Sequence, residues 1–427
     1  MKRAIPLLLL VLGAIFLLSA SYPPYRKTEI EIAFAEEEPM RATLRTPVSH
    51  LMRAERMGGY LALYDELARR YDAKGALNYL AIGLGDYLSA ECERRRVDPL
   101  DATLEWTKDL SVPFIYYEER AGREINLEEA GRAIARALDE EGSARARLCT
   151  REVPAAVTVK DLKERTREMG RYRTEFLTSG ENRRHNLALA ARAISGTEIA
   201  AGETFSFNGT VGERTAERGF REANVVVNGE FVKGIGGGVC QVSTTLYNAA
   251  LLAGLEIVRA AAHTRPVSYV PYSRDCTVSS ATDFLFRNDT EYPVYLAAEI
   301  KGSALTFVLF GEKKAGRRTL ESEVVRESPF RALYEDGSEV RETDAILLSE
   351  GRPGITSRLY LVCEQDGKRT RTLIRENLYP AKDAVYRRAA SAGQCVTTQK
   401  SESRVNAEFG MRNAELWTPR GVIPIRN

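Results

Sequence analysis

Apolar residues recur at Val242, Leu246, Ala249 and Ala253, spacings near 3.6 that predict a helix with one apolar face, ended by Gly254 as C-cap. The same period predicts helices over Leu61–Tyr71 and Leu127–Leu138. The second follows Gly122-Arg123-Glu124-Ile125, with Asn126 placed to cap it and Glu128 and Glu129 in its first turn. Strand patterns run over Tyr292–Ile300 and Leu305–Phe310, and Leu255–Ala262 reads as a strand returning from the Val242–Ala253 helix. Asp336-Gly337 and Asp366-Gly367 predict turns, the second between strand-like runs. The charged stretch Lys160–Arg173 reads as a helix or linker. These elements predict an α+β, multidomain chain without a solenoid repeat, in which a helix packs on a mostly antiparallel sheet.

One segment stands apart. Ala4–Ala20 carries no charge, follows Lys2 and Arg3, and is succeeded by Arg26 and Lys27. This is the pattern of a signal peptide or signal anchor with the rest of the chain outside the cytoplasm; Ser19-Ala20-Ser21 offers small residues for cleavage, which would leave a secreted protein. The expected organisation is therefore a membrane segment over residues 1–25, a mixed module over 26–175, a glycine-bearing module over 176–312, a small β module over 313–392 and a tail over 393–427.

With 427 residues, 44% hydrophobic and 28% charged, the chain is long enough for several cores. A net charge of +2 with interspersed signs argues against a nucleic-acid binder. Six cysteines and an extracytoplasmic setting permit disulfides within modules, Cys92 with Cys149 and Cys363 with Cys395. No C-x-x-C or H-E-x-x-H spacing points to a metal, and no cofactor is expected.

The candidate chemistry lies at Gly234-Ile235-Gly236-Gly237-Gly238-Val239-Cys240-Gln241. Glycines permit left-handed dihedrals and close backbone approach, and a helix start supplies unpaired N–H groups and a positive dipole end. Cys240 is thereby placed as a nucleophile, with Gly236, Gly237, Gly238 and the N–H groups of Cys240 and Gln241 as the candidate oxyanion loop. The bland alternative is a small apolar residue packed at a helix start. Of three histidines, His263 is the preferred base, because the return strand carries it back toward the helix start, with His185 the alternative. Asp275 or Asp283 is the candidate for orienting the imidazole.

The runs Gly180-Glu181-Asn182-Arg183-Arg184-His185-Asn186, Gly202-Glu203-Thr204-Phe205-Ser206-Phe207-Asn208, Gly236–Asn248 and His263-Thr264-Arg265-Pro266-Val267-Ser268-Tyr269-Val270-Pro271, in that order, resemble the VanW family. The preceding module resembles the peptidoglycan-binding domain that often accompanies VanW, and the segment around Gly351-Arg352-Pro353-Gly354-Ile355 is similar to a G5 domain. The resemblance implies an L,D-transpeptidase that cross-links peptidoglycan stem peptides through a cysteine thioester; Arg265 and Arg274, with their bidentate guanidiniums, are the candidates for holding the carboxylates of a diaminopimelate or D-alanine terminus, and His185 is a further substrate-binding candidate. The competing expectation is a non-catalytic wall-binding or scaffolding protein with Cys240 merely packed. One departure from the family pattern is Cys276 in Arg274-Asp275-Cys276-Thr277-Val278, where many relatives have a small residue. It is expected to be packing or a regulatory disulfide partner of Cys240.

Overall fold

The computed structural model describes residues 25–34, 38–140, 144–227, 230–337 and 345–389, in two compact units. No helix of the described residues is long and apolar enough to cross a membrane. The Ala4–Ala20 run and Cys395 lie outside the described residues.

The first unit, Met1–Trp106 with Phe114–Lys163, holds a three-stranded sheet in the order Met40–Pro47, Tyr25–Phe34, Ala144–Leu148, the first pair antiparallel and the second parallel. Ile30, Ile32 and Phe34 alternate inward and join Leu63, Leu67, Leu77, Leu80, Ile134 and Leu148 in one core. The expected helices appear at Tyr60–Arg70 and Leu127–Asp139. Asn126 Oδ1 caps the latter by accepting from Glu128 N at 2.9 Å and Glu129 N at 3.2 Å. Gly122–Ile125, read as a lead-in to this helix, is itself a strand paired with Thr150–Val153. Cys92 and Cys149 are free thiols, so the expected disulfide is absent: Cys92 is half-buried against the core while Cys149 is exposed.

The second unit, Thr107–Pro113 with Glu164–Asn427, is built on a four-stranded antiparallel sheet in the order Arg167–Glu175, Ala304–Gly311, Val294–Lys301, Thr197–Ile199. The segment Lys160–Arg173 is thus neither one helix nor a linker: a short helix, Val159–Glu164, gives way to the strand Arg167–Glu175. A glycine decides the packing there. A Cβ on Gly170 would sit 2.4 Å from Ala253 N and 2.5 Å from Ala249 O, so the strand reaches the backbone of the Val239–Ala253 helix. That helix is buried nearly all round and ends as expected on Gly254 at φ 77°.

A second antiparallel sheet joins Thr204–Ser206, Leu285–Arg287 and Glu256–Arg259, the last shorter than the expected return strand. Towards the C-terminus, Arg317–Ser328, Gly354–Gln365 and Lys368–Tyr379 form an antiparallel sheet. Asp366 and Gly367 make its two-residue turn at φ 50° and 74°. Asp336 and Gly337, expected as a turn, instead end the strand Ala332–Gly337, paired in parallel with Ala384–Ala389. Sheet pairing took precedence over local turn preference.

Candidate active site

The hairpin Glu222–Val227 and Glu230–Ile235 leads into the turn Gly236-Gly237-Gly238 and then the helix Val239–Ala253. Gly236 and Gly238 adopt φ 87° and 108°, values that disfavour any side chain. Asn186, fully buried, fixes the turn from beneath: its Nδ2 donates to Gly237 O at 3.0 Å and Arg221 O at 2.8 Å, and its Oδ1 accepts from Arg221 N at 2.8 Å. Cys240 therefore projects from a braced first turn into a groove of about 1910 Å³.

The polar side of the cysteine helix is buried rather than solvated, which its apolar periodicity did not reveal. Ser243 Oγ donates to Cys276 O at 2.6 Å, and Thr244 Oγ1 accepts from Cys276 N at 2.9 Å. Asn248 Nδ2 donates to Arg274 O at 2.8 Å. These bonds hold the segment Arg274–Cys276 along the helix, and an isolated bridge between Ala261 and Thr277 brings the chain before His263 beside it.

A hydrogen-bonded chain results. Cys240 and His263 stand close enough for each to shift the other's ionisation. His263 Nδ1 bonds Asp275 Oδ2 at 2.8 Å, which leaves Nε2 for the cysteine; the same carboxylate oxygen accepts from His263 N at 2.7 Å. Asp275 Oδ1 accepts from Tyr379 OH at 2.6 Å. Tyr379 OH in turn accepts from Ser273 N at 2.9 Å, and Arg375 donates to the Ser273 and Asp275 carbonyls. Tyr379 and Arg375 both come from the C-terminal strand Lys368–Tyr379. Cys240 Sγ also lies 3.6 Å from Thr277 Oγ1 and 3.4 Å from Val278 O.

The electrostatics follow from this chain. Burial pushes the Cys240 thiol up, but hydrogen bonding and charge from His263, with bonds from the Val278 backbone and Thr277, outweigh it and the net shift is down. Burial pushes His263 down, yet bonds to Asp275 and Cys240 carry it up to about 9. Asp275 is raised by burial and lowered further by His263 and Tyr379, so it stays a carboxylate. These shifts favour a thiolate and an imidazolium side by side over two neutral groups. Cys276, by contrast, is fully buried, and its thiol is pushed upward by that burial.

Of the residues singled out in the sequence, Cys240, Gly236, Gly237, Gly238, Gln241, His263 and Arg265 line the groove. Three do not. Asp283 does not orient the imidazole: it accepts from Ser206 Oγ at 2.6 Å and Asn208 N at 2.8 Å, pinning a short helix, and Asp275 takes the place at His263. Arg274 is turned to the strand Arg317–Ser328, donating to Ser322 Oγ at 3.0 Å and Leu320 O at 2.8 Å. His185 is hydrogen-bonded to Gly219 O at 2.9 Å, outside the groove. Gln241 contributes structure rather than an oxyanion donor: its N–H is spent on Gly238 O at 3.0 Å, and its buried amide bonds Arg183, Thr174 and Glu175. The N–H of Cys240 remains among the first-turn groups for which a helix provides no acceptor. Cys276 and Cys240 are both free, so Cys276 is packing here. Among the described residues no group of three His, Cys, Asp or Glu side chains converges as metal ligands.

Residues 182–310, which hold the cysteine, the histidine and the aspartate, match the family described as VanW like protein. The chain carries a VanW-like domain. Its relatives include the uncharacterized protein YoaR of Bacillus subtilis (strain 168), 44% identical over 146 residues that cover 34% of this chain and 48% of that protein. Another is the vancomycin B-type resistance protein VanW of Enterococcus faecalis, 30% identical over 140 residues, 31% of this chain and 51% of that one. The chain thus spans about half the length of the curated relatives it matches. A solved structure titled HP0197-G5 aligns over 17% of this chain and 99% of its own, at 19% identity and a TM-score of 0.12, too low to establish a shared fold. The VanW-like domain ends before Tyr379 and Arg375, so the groups that brace Asp275 come from outside it.

Proposed function

We propose that this protein is a cysteine acyltransferase of the cell wall, an L,D-transpeptidase that joins peptidoglycan stem peptides through a Cys240 thioester. The observation that carries the reading is the Cys240–His263–Asp275 chain opening into a groove. Similarity to VanW like proteins, one of them named for vancomycin resistance, supports the cell-wall setting. The charge-free Ala4–Ala20 run supports placement outside the cytoplasm, held at the membrane or secreted after cleavage.

In the proposed reaction the Cys240 proton passes to His263 Nε2, and the thiolate attacks the carbonyl carbon after the third stem residue. A C–S bond forms while the carbonyl π pair moves to oxygen, where the Cys240 N–H is placed to receive it. As the carbonyl re-forms, the C–N bond breaks and the imidazolium proton goes to the departing amine of D-alanine. A side-chain amine of a second stem then attacks the thioester, gives a proton to His263, and expels the thiolate. Asp275 keeps the imidazole in the tautomer and orientation this requires.

The test is the intact mass of the soluble protein from about residue 28 onward, incubated under reducing conditions with a disaccharide-tetrapeptide, beside Cys240→Ala. A stem-sized adduct on wild type alone is the expected result. No adduct, no product and slow alkylation of Cys240 would instead leave a wall-binding scaffold.

A further inference from the structure

Two arginines of the groove have no part in the acyl transfer described above. Arg183 lies on the helix Glu181–Ile194 and Arg214 follows the short helix Phe207–Val211. Their stems rest on the glycine turn itself: a Cβ on Gly238 would meet Arg183 Cγ at 3.0 Å, and one on Gly236 would meet Arg214 Cβ at 3.0 Å. The turn that presents Cys240 therefore also carries the stem of one arginine on each of the two glycines flanking Gly237.

Both cations are half-buried, and their hydrogen bonds go to neutral oxygens. Arg183 donates to Ser179 Oγ and, through Nη2, to Gln241 Oε1 at 2.7 Å. Arg214 donates through Nη1 to Gly212 O at 3.3 Å and through Nη2 to Asn208 Oδ1 at 2.8 Å. Of the four glutamates that line the same groove, Glu175 pairs with Arg173 at 3.0 Å and Glu181 with Arg221 at 3.2 Å, while Glu213 and Glu222 make no ion pair with Arg183 or Arg214. Burial weakens the hold of both guanidiniums on their protons, while the Cys240 charge and, for Arg214, the charge of Asp283 work the other way. A guanidinium has five N–H donors, so each retains donors beyond those already engaged. Partly desolvated cations that hydrogen-bond no carboxylate are costly unless an anion comes to them.

We infer that Arg183 and Arg214 form a carboxylate subsite beside Cys240 that takes the terminal carboxylate of the acyl donor. This assignment rests on the acyl-transfer reading for its natural ligand, but the subsite itself can be tested without a wall substrate. Iodoacetate and iodoacetamide alkylate a thiolate by the same displacement, forming the S–C bond as iodide leaves, and differ by one carboxylate.

The experiment measures both rates at Cys240 by peptide mapping of the full chain. The iodoacetate-to-iodoacetamide ratio is expected to fall about tenfold in Arg183→Gln and in Arg214→Gln, and to be retained in Arg183→Lys and Arg214→Lys. A ratio unmoved by the glutamine variants overturns the subsite. Because Arg183 also bonds Gln241, a changed iodoacetamide rate in Arg183→Gln would signal a displaced helix, and Arg214→Gln then decides. In parallel, wild type is given a tetrapeptide donor with a free terminal carboxylate and the same donor as its carboxamide. An adduct forming about tenfold faster with the free acid supports the subsite. Equal rates overturn it while acyl transfer stands. No adduct from either, with the alkylation ratio still responding to the arginines, removes the acyl-transfer reading and keeps an anion site.

Discussion

The cysteine half and the histidine half of the site are built in opposite ways. Cys240 is placed mainly by its own neighbours, three glycines, a helix start and a C-cap within twenty residues of chain, with Asn186 bracing the turn from outside that stretch. His263 and Asp275 sit in irregular backbone with no repeating pattern, and their geometry is set by bonds to residues about one hundred positions away. Even Ser273, in the left-handed region at φ 64°, is held there by Tyr379 OH and by Ser357 O and Oγ. A nucleophile can be presented by local backbone geometry. A base that must stay charged while buried needs partners from elsewhere in the fold.

The sharpest way to break this contrast is to change the two aspartates in turn. Asp275→Asn removes the acceptor that fixes the His263 tautomer and supports its charge, and thioester formation should fall by about 10³-fold or more. Asp283→Asn should leave the rate within about threefold, because its bonds serve Ser206 and Asn208; the cost should appear in thermal unfolding at about 1–2 kcal/mol. A large rate loss in Asp283→Asn with Asp275→Asn active would reverse the assignment.

The next effect is in the pH profile. With Cys240 shifted down and His263 up to about 9, thiolate and imidazolium coexist between the two transitions. Acylation by an amide donor should rise as Cys240 ionises and fall near pH 9, where His263 loses the proton it gives to the leaving amine. Iodoacetamide needs no such proton, so its rate should not fall on that limb. Removing His263 with His263→Gln should move Cys240 alkylation to higher pH, since burial then acts unopposed by the imidazolium. A wild-type alkylation profile centred at or above an ordinary thiol value would end the ion-pair account.

The sequence disclosed the local half well: Cys240, the glycine turn, the buried face of Val242, Leu246, Ala249 and Ala253, and the Gly254 cap are all pattern features. It misdirected the search for carboxylate and arginine partners, because Asp275 and Asp283, or Arg274 and Arg183, look alike until pairing decides which way each faces. Arg183 did carry a signal, lying two residues before His185 in the run Gly180–Asn186. Tyr379 and Arg375 carried none, since their role exists only once the strand Lys368–Tyr379 has joined its sheet. Gly122–Ile125 and Asp336-Gly337 were misread for the same reason: their pairing partners are distant in sequence.

Tyr379→Phe sharpens the comparison further, since it alters the distant support while leaving every group of the Cys240–His263–Asp275 chain in place. Asp275 loses one acceptor bond and the buried Ser273 N–H loses its own acceptor, so stability should fall by about 1–3 kcal/mol. Acylation should slow by about tenfold, on the scale of one charge-assisted hydrogen bond. The tyrosine bond holds the Asp275 carboxylate low, so its loss makes that carboxylate a stronger proton acceptor and moves the alkaline limb of the profile up rather than down. A downward move would mean that losing Tyr379 displaces Asp275 from the imidazole instead of freeing its charge.

The smallest effect should come from Cys276→Ala. Its side chain is fully buried in the core, and the bonds that Ser243 and Thr244 make to this residue use its backbone rather than its sulfur. Acylation should stay within about twofold, while the lost packing lowers stability by about 1–2 kcal/mol. If instead wild type, and not this variant, loses its Cys240 alkylation after mild oxidation, the two thiols can meet. The histidine loop would then be mobile enough to part from the helix, and the long-range bonds that distinguish it from the cysteine half would be weaker than their geometry implies.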